Sequence, residues 1–204
     1  MKAARVILAS SNSGKLQELS AMLAPLGFDL MPQQLLGIES PPETGATFLA
    51  NALIKARHAA GQSSLPAIAD DSGIEVDALA GAPGVRSARY AAENARDRDN
   101  LEKLLFELRD VPDSARSARY RCVIAFVRDA RDPKPLIGEG SWAGHIARTA
   151  RGSGGFGYDP VFVPHGHEGT AAELTPAEKN AVSHRALALD ALVAQLRAAP
   201  NQGA

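Results

Sequence analysis

The chain has 204 residues, a length that predicts one domain, and its formal net charge is −1 at pH 7. Proteins that bind nucleic acid or an anionic membrane normally carry a basic face, so we expect neither as a partner. The single cysteine, Cys122, excludes a disulfide framework and favours a reduced, cytoplasmic setting. The apolar stretch at residues 6–9 is too short for a signal-peptide core or a membrane span.

Hydrophobic periodicity and turn residues predict alternating strands and helices in the first half of the chain. The first three expected elements are a buried strand at residues 6–9, a helix with Leu16, Leu19, Met22, Leu23 and Leu26 that ends at Gly27, and a helix from about residue 46 to Gly61. The next are a strand in "LPAIADDSGIEVDAL" that breaks at residues 70–73 and resumes as a second strand, and a loop at residues 80–92. We expect the break because acidic and glycine residues favour turns.

The second half predicts a helix, a hairpin, a glycine-rich segment and a last helix. These are a helix with Leu101, Leu104, Leu105 and Leu108, two antiparallel strands around "RDPKP", a loop and strand in "RGSGGFGYDPVFVP", and a helix from the capping box at residues 175–178 to Pro200. Residues 200–204 are expected to form a frayed tail. The mixture predicts an α/β fold with a mixed sheet and not a purely parallel Rossmann sheet.

The segment "SSNSGK", residues 10–15, lies between the first strand and the first helix, which is the layout of a phosphate-binding loop. Gly14 and Lys15 fit the Walker A pattern G-x-x-x-x-G-K-[ST], but Ala9 replaces its first glycine and Leu16 its magnesium-binding hydroxyl. A P-loop NTPase is therefore disfavoured. Helix N-terminal N–H groups, loop hydroxyls and one ammonium still suit a phosphate, and the alternative is an ordinary turn with a polar N-cap.

Two adjacent carboxylates, Asp70 and Asp71, follow the apolar run "LPAIA". Such a pair is destabilising unless a cation shares it, and Mg²⁺ binds through one or two carboxylates plus substrate phosphates. Strand alternation sends the two side chains to opposite faces, so only one of them reaches a given site. Glu43, just before the second helix, is a third acidic candidate. The alternative for the pair is a solvated turn.

A polar stripe follows the second helix, where Thr47, Asn51, Lys55 and His58 recur at steps of three or four. Taken alone, the stripe favours a surface helix that exposes its polar face to water. The alternative is that Asn51 and Lys55 face a phosphate site.

The glycine-rich segment "GGFGYDP" and the last helix supply the remaining candidates. Phe156 or Tyr158 could stack on a base, since the glycines let the backbone approach a flat ligand closely. The first turns of the last helix carry a group of polar donors: Lys179, Ser183, His184 and Arg185. The structural alternative for the glycine-rich segment is a hairpin end filled by an aromatic side chain. The alternative for the last helix is an ordinary surface with basic residues. Together with the loop and the carboxylates, these clusters form the parts of a nucleoside triphosphate site.

Five segments in order resemble the bacterial noncanonical purine nucleoside triphosphate pyrophosphatases, whose eukaryotic counterpart is inosine triphosphate pyrophosphatase. They are "SSNSGK", "ETGATFLANALIKARHAA", "PAIADDSGIEVDALAGAPGVRSARYA", "GSGGFGYDPVF" and "AAELTPAEKNAVSHR". The resemblance implies hydrolysis of ITP, dITP and XTP to the monophosphate and pyrophosphate with Mg²⁺, by a homodimer. It also implies an elongated two-lobed α/β fold around a long mixed sheet with flanking helices, a site in the cleft, and one domain over residues 1–199.

The resemblance also assigns residues. It implies metal binding by Glu43 and Asp71 and catalysis by Asp71. It implies substrate contacts by Ser10, Ser11, Asn12, Ser13, Gly14, Lys15, Lys55, Ser72, Phe156, Gly157, Tyr158, Asp159, Lys179, His184 and Arg185. Two departures stand out: Ser11 replaces a glycine of the usual first loop, and Arg86 replaces a common tyrosine.

The mechanistic hypothesis has Asp71 orient or deprotonate a water near the α-phosphorus while Lys15 and Lys55 neutralise the triphosphate. His184 and Arg185 are hydrogen-bond donors, so they would bind a base that has an oxygen at C6. They would reject adenine, because its C6 amino group leaves both donors unpaired. The alternatives are a related pyrophosphatase for pyrimidine or modified nucleotides and a non-catalytic nucleotide-binding module.

Overall fold

The computed structural model describes residues 5–198, apart from the side chain of Leu26. The predicted tail at residues 200–204 and the helix end predicted at Pro200 lie outside this range. In chain order, the described residues form β1 (Arg5–Leu8), α1 (Ser13–Leu23), β2 (Asp29–Pro32), α2 (Phe48–Ser63), β3 (Ala67–Val76), α3 (Asp97–Glu107), β4 (Ser117–Val127), β5 (Leu136–Ile146), β6 (Phe162–Pro164), α4 (Pro176–Val182) and α5 (His184–Ala198).

The strands form a mixed sheet in the order β2-β1-β3-β4-β5-β6, and the predicted α/β fold with flanking helices is confirmed. The strand β1 runs parallel to both of its neighbours, with Ile7 opposite Ala67 of β3, whereas β5 and β6 are antiparallel. Val6, Ile7 and Leu8 are buried, as expected for a strand with a neighbour on each side. The consecutive strands β4 and β5 are neighbours, as the sequence predicts.

The chain divides into two compact units. Within the described residues, unit 1 comprises residues 5–71, 122–140 and 185–198, and unit 2 comprises Ser72–Arg121 and Ser141–His184. The core of unit 1 packs β1 and β3 with α1 and α5 through aliphatic side chains such as Leu8, Leu19 and Leu192. The core of unit 2 is richer in aromatic residues and includes Tyr120, Trp142, Tyr158 and Phe162.

The predicted break in the third strand is wrong. Residues 67–76 form one uninterrupted strand, β3, with Asp70 and Asp71 buried in its middle. The sequence favours a turn there because acidic residues are normally solvated, but both carboxylates are paired with cations of unit 1. Tertiary ion pairing therefore overrides the local turn preference.

Three other boundaries differ from the prediction. Helix α2 passes through Gly61 and ends at Ser63, followed by Ser64 in the left-handed region, because helix packing outweighs the cost of one glycine, about 1 kcal/mol. The predicted last helix is two helices, since Ser183 adopts an extended backbone between α4 and α5. The predicted loop at residues 80–92 contains a 3₁₀ turn at Gly84–Arg89, where the buried hydroxyl of Ser87 accepts from the Ile74 N–H.

The predicted helix starts are confirmed where polar caps were expected. Asn12 caps α1, with its side-chain oxygen 3.0 Å from the Lys15 backbone nitrogen. Thr175 and Glu178 form the capping box of α4, and Pro176 stands in its first turn. Among residues 5–198, none of the helices has the length and apolar character needed to cross a membrane.

Candidate active site

The loop between β1 and α1 presents polar groups at the start of a helix. Ser10 is buried, its carbonyl accepts from the Gln34 side chain at 2.6 Å, and its hydroxyl accepts from the Asn12 N–H at 3.2 Å. Ser11, Asn12 and Ser13 are exposed. The hydrogen bond from Gln34 fixes the loop, and its exposed polar groups lie at a helix N-terminus. This arrangement is suited to bind phosphate.

Asp70 lies among cations from two helices of unit 1. Its Oδ2 is 3.1 Å from Lys15 Nζ on α1, and it accepts from Arg185 Nη2 on α5 at 3.2 Å and from Nε at 3.3 Å. The remaining arm of that guanidinium, Nη1, donates to Glu18 of α1. Asp70 and Arg185 are almost completely buried, so these charges depend on one another for compensation.

Asp71, one residue further along β3, has a different set of partners. Asn51 Nδ2 donates to its Oδ2 at 3.1 Å, and Lys55 Nζ donates to its Oδ1 at 3.4 Å. The same ammonium donates to Glu43 Oε1 at 2.6 Å, so two carboxylates share one cation. The partners of Asp70 and Asp71 confirm the expectation that strand alternation separates the two side chains.

Asn51 also fixes the loop that carries Glu43. Its Oδ1 accepts from the Gly45 N–H at 2.7 Å while its amide donates to Asp71, and the whole side chain is buried. A Cβ at position 45 would lie 2.6 Å from this oxygen, so the close approach requires glycine. Asn51 therefore ties the position of the Glu43 loop to that of Asp71.

The two neighbouring aspartates differ in acidity. Burial would raise the pKa of Asp70, but Lys15 and Arg185 outweigh it and hold that pKa well below its usual range. Burial raises the pKa of Asp71, and the charge of Glu43 adds to this, while Lys55 offsets only part of it. Asp70 is thus a fixed anion, and Asp71 takes up a proton more readily.

Lys55 stays charged in spite of its burial. Desolvation would lower its pKa, but the carboxylates of Asp71, Asp70 and Glu43 together raise it above the usual value. With Asn51 completely buried and Lys55 only 8% exposed, the interpretation of this helix face as a solvated surface is wrong for both residues. They face the carboxylates because β3 packs its polar residues against α2.

We call the seven ionisable side chains of unit 1 the charged cluster: Lys15, Glu18, Glu43, Lys55, Asp70, Asp71 and Arg185. With three cations and four carboxylates it carries a net charge of −1 when all are ionised. No group of three or more His, Cys, Asp or Glu side chains within residues 5–198 is arranged to hold a metal ion without further ligands.

The glycine-rich segment of unit 2 is organised around Asp159. Its Oδ2 accepts from Lys179 Nζ at 2.5 Å and from the Phe156 N–H at 2.9 Å. A Cβ at Gly155, whose φ is +69°, would lie 2.1 Å from this oxygen, so the tight turn requires glycine. The ring of Phe156 is half-buried with Lys179 Nζ 4.9 Å from its centroid, whereas Tyr158 is buried in the core. Phe156 is consequently the aromatic ring of this segment that can reach a base.

His184 lies in an aromatic cluster of unit 2, which we define as Tyr120, Trp142, Phe162 and His184. The imidazole stacks on Tyr120 with centroids 4.5 Å apart and an interplanar angle of 7°, and lies nearly parallel to Trp142 at 6.5 Å. It is buried, so its position is set by the rings around it.

The predicted site residues therefore fall into two sets. Unit 1 brings together residues 10–15 with Glu43, Lys55, Asp71 and Arg185, and unit 2 brings together Phe156, Gly157, Asp159, Lys179 and His184. Ser72 is half-buried on β3, and Gly157 donates to Asp97 at 2.7 Å. Ser183 lies in the break between α4 and α5, outside both helices.

Sequence reasoning missed several residues that hold this arrangement. Glu18 anchors Arg185 together with Asp70, which the sequence did single out, and Tyr120 stacks on His184 and donates to Asp159. The spacing of Glu18 three residues after Lys15 was a usable signal, because such pairs share a helix face. The sequence around Tyr120 contains no comparable signal, since an aromatic residue in a strand is typical of an ordinary core position.

Comparisons with known proteins find relatives over almost the whole chain. The profile of the Ham1 family matches residues 6–195. The chain is 55% identical to the dITP/XTP pyrophosphatase of Salmonella typhi, covering 95% of this chain and 98% of the relative, and 53% identical to that of Escherichia coli K12 with the same coverage. A solved HAM1 protein from Coxiella burnetii superposes with a TM-score of 0.88 at 50% identity, covering 96% of this chain and all of that one.

The fold, the charged cluster and these relatives together define a hydrolase of nucleotide metabolism with a mixed α/β sheet. Within that class, the chain belongs to the Ham1 family.

Proposed function

We propose that this protein hydrolyses noncanonical purine nucleoside triphosphates (dITP, ITP and XTP) to the nucleoside monophosphate and pyrophosphate and so removes them from the nucleotide pool. The relatives called dITP/XTP pyrophosphatases support the reaction. The observation that carries it is the convergence of Glu43 and Asp71 on the ammonium of Lys55, beside a helix-start loop with Lys15. This is a set of groups for a cation and a polyphosphate.

The donor set fits Mg²⁺. Two carboxylates that already share one cation present oxygen ligands to a common point, and Mg²⁺ needs only one or two of them when the substrate supplies phosphate oxygens. The net charge of −1 on the charged cluster also favours a divalent cation over a bare polyanion. Glu43 and Asp71 would hold the ion, which when bound neutralises charge on the phosphates and polarises them.

Asp71 is the proposed catalytic base. Asn51 fixes the orientation of its carboxylate by a 3.1 Å hydrogen bond, as a positioned general base requires. A water beside Asp71 would lose its proton to the carboxylate as its oxygen attacks near the α-phosphorus, with pyrophosphate as the leaving group. Lys15, Lys55 and the N–H groups at the start of α1 would bind the phosphate oxygens.

Unit 2 supplies the proposed base-side contacts. Phe156 would stack on the purine, and the segment at residues 156–159, with Lys179, would bind its edge and the sugar. His184 would donate to the oxygen at C6 of hypoxanthine or xanthine, and adenine would be rejected at a cost of roughly 1–3 kcal/mol per unpaired donor. The substrate contact of Arg185 stays a prediction, and Nε, Nη1 and Nη2 of its guanidinium donate to Asp70 and Glu18.

One assay tests the proposal. The protein is incubated with dITP, XTP, dATP, dGTP and dUTP, each with Mg²⁺ and with EDTA, and pyrophosphate is measured against orthophosphate. We expect pyrophosphate from dITP and XTP only when Mg²⁺ is present. Orthophosphate as the product, or equal turnover of dATP, would contradict the proposal. Preferred turnover of dUTP would favour a pyrimidine-directed enzyme, and tight binding without turnover a nucleotide-binding module.

Two further properties belong to the same proposal. We infer a homodimer from the resemblance to the pyrophosphatase family, and analytical ultracentrifugation at micromolar concentration should give twice the 21.4 kDa chain mass. A cytoplasmic location follows from the substrate class, because the free nucleotide pool is the place where such an enzyme acts. Fractionation with an enzymatic assay of each fraction would test it.

A further inference from the structure

We propose that Tyr120 is a positioning residue that sets base selectivity by fixing His184 and Asp159. The inference rests on the proposed function, since those two residues are the base-side contacts. Tyr120 itself lies on β4, is buried in the core of unit 2, and matches no segment that sequence analysis connected with substrate.

The ring of Tyr120 sets the plane of His184. The two rings are 4.5 Å apart and within 7° of parallel. Tyr120 is held in turn by Phe162, which meets it edge-on at 4.8 Å with an interplanar angle of 72°. A ring packed on a strand in this way has little rotational freedom, so the imidazole that lies against it keeps one orientation. The direction of the His184 N–H donors therefore depends on Tyr120.

The hydroxyl of Tyr120 reaches the second base-side residue. It donates to Asp159 Oδ1 at 3.1 Å, while Asp159 Oδ2 accepts from Lys179 and from the Phe156 N–H. One side chain thus contacts His184 through its ring and Asp159 through its oxygen. Movement of Tyr120 would displace the proposed C6 donor and the turn that carries the stacking aromatic together.

Selectivity depends on this orientation more strongly than overall affinity does. Stacking by Phe156 is tolerant of base identity, because every purine has a flat face. Discrimination between hypoxanthine and adenine needs a donor at a fixed distance and angle from position 6. A reoriented His184 therefore loses the preference for inosine nucleotides while purines in general still bind.

The experiment measures binding of the products IMP and AMP by isothermal titration calorimetry, so the outcome does not require turnover. Tyr120→Phe keeps the ring that stacks on His184 and should change the IMP-to-AMP affinity ratio by about threefold or less, the lower end of the worth of one hydrogen bond. Tyr120→Leu removes the stack and should lower the ratio about tenfold or more. If Tyr120→Leu does not fold, as judged by circular dichroism, Tyr120→Met is used in its place. Met also lacks a ring, is similar in volume to Leu, and adapts its shape more easily to a core.

Tyr90→Leu is the matched control. Tyr90 packs against the same core and bonds to Glu107, outside the base-side set. We expect it to lower the melting temperature without changing the IMP-to-AMP ratio. A wild-type ratio in a folded ring-free variant at position 120, or an equal change in Tyr90→Leu, would overturn the inference. Failure of the proposed function itself would be seen separately, as absence of pyrophosphate release from dITP by the wild-type protein.

Discussion

The charged cluster of unit 1 is buried to half-buried and the aromatic cluster of unit 2 is buried, and the two hold their side chains by different means. The charged cluster is an alternating series of ion pairs, in which each carboxylate contacts a lysine or an arginine. The aromatic cluster depends on ring packing, with Tyr120 and Trp142 both edge-on to Phe162. We propose that the first binds a polyphosphate and a cation and that the second orients His184 for base recognition.

The comparison teaches that burial alone does not indicate a shared role. Removal of one ionic member leaves a buried charge without its partner, whereas removal of one ring leaves a cavity. Within the charged cluster there is a second contrast, because the pKa of Asp70 is held down and that of Asp71 is raised. The predictions below test these contrasts from the largest expected effect to the smallest.

Asp71→Asn should lower kcat for dITP about 10³-fold, equivalent to about 4 kcal/mol, because it removes the proposed proton acceptor and metal ligand. Stability should change little, since burial disfavours the charged form of Asp71 and Glu43 remains as a partner of Lys55. Steady-state kinetics and urea unfolding on the same preparation measure both quantities. Wild-type turnover would exclude Asp71 as the catalytic residue.

Asp70→Asn should affect stability more than turnover, which is the reverse of the effect expected for Asp71→Asn. It leaves the buried Arg185 and the half-buried Lys15 without their shared carboxylate, at a cost of about 3 kcal/mol in the free energy of unfolding. Urea unfolding monitored by circular dichroism measures the loss. If Asp70→Asn were as stable as Asp71→Asn, the electrostatic contrast between the two neighbours would be wrong.

Phe156→Ala should raise KM for dITP about tenfold with little change in kcat, because stacking binds substrate and transition state alike. Phe106→Ala is the control, since Phe106 is an exposed ring of the same unit that contacts Arg109. A fall in kcat with an unchanged KM would place Phe156 with the reacting groups and not with the base.

Acid should destabilise the wild-type protein more than Asp70→Asn. The pKa of Asp70 is below its usual value of 3.8 in the folded state, so its contribution is complete above that value and is lost as pH falls toward the folded pKa. Between pH 5 and pH 3 the wild-type unfolding free energy should fall by about 1 kcal/mol more than that of the variant. Urea unfolding of both proteins at the two pH values measures this difference. An equal fall in the free energy of unfolding for the wild type and for Asp70→Asn would contradict the prediction.

Asn12→Ala gives the smallest expected effect, about 1 kcal/mol of stability from the lost N-cap of α1. Thr47→Ala removes the equivalent cap of α2, with a hydrogen bond of 3.1 Å to the Ala50 N–H, and should cost about the same. Only Asn12→Ala should also raise KM for dITP, because only its loop is assigned to the phosphates. An equal KM for dITP in both variants would show that this loop does not contribute to substrate binding.

The sequence predicts those parts of the molecule that local chemistry decides. The start of α1 at Asn12, the capping box at Thr175 and the buried strand β1 depend on neighbouring residues only, and all three are confirmed. The assignment of roles to site residues came from the family resemblance, and it stays a prediction until variants are measured.

The features that the sequence did not predict depend on distant partners. The continuity of β3 through Asp70 requires Arg185, which is 115 residues away. The burial of Asn51 and Lys55 requires the carboxylates of β3 and the Glu43 loop, and a helical pattern alone cannot tell a solvated polar face from a buried one. The same applies to Tyr120, whose partner His184 is on another element.

The shared contact of Lys55 with Glu43 and Asp71 has a consequence for the enzyme before it meets its substrate. The lysine serves as an internal counterion that keeps the two carboxylates close without any added cation. We therefore expect the chain to fold without a bound metal ion, unlike small domains that fold only around their metal. A chelator should consequently stop turnover while leaving the melting temperature within about 2 °C, a shift equivalent to less than 1 kcal/mol.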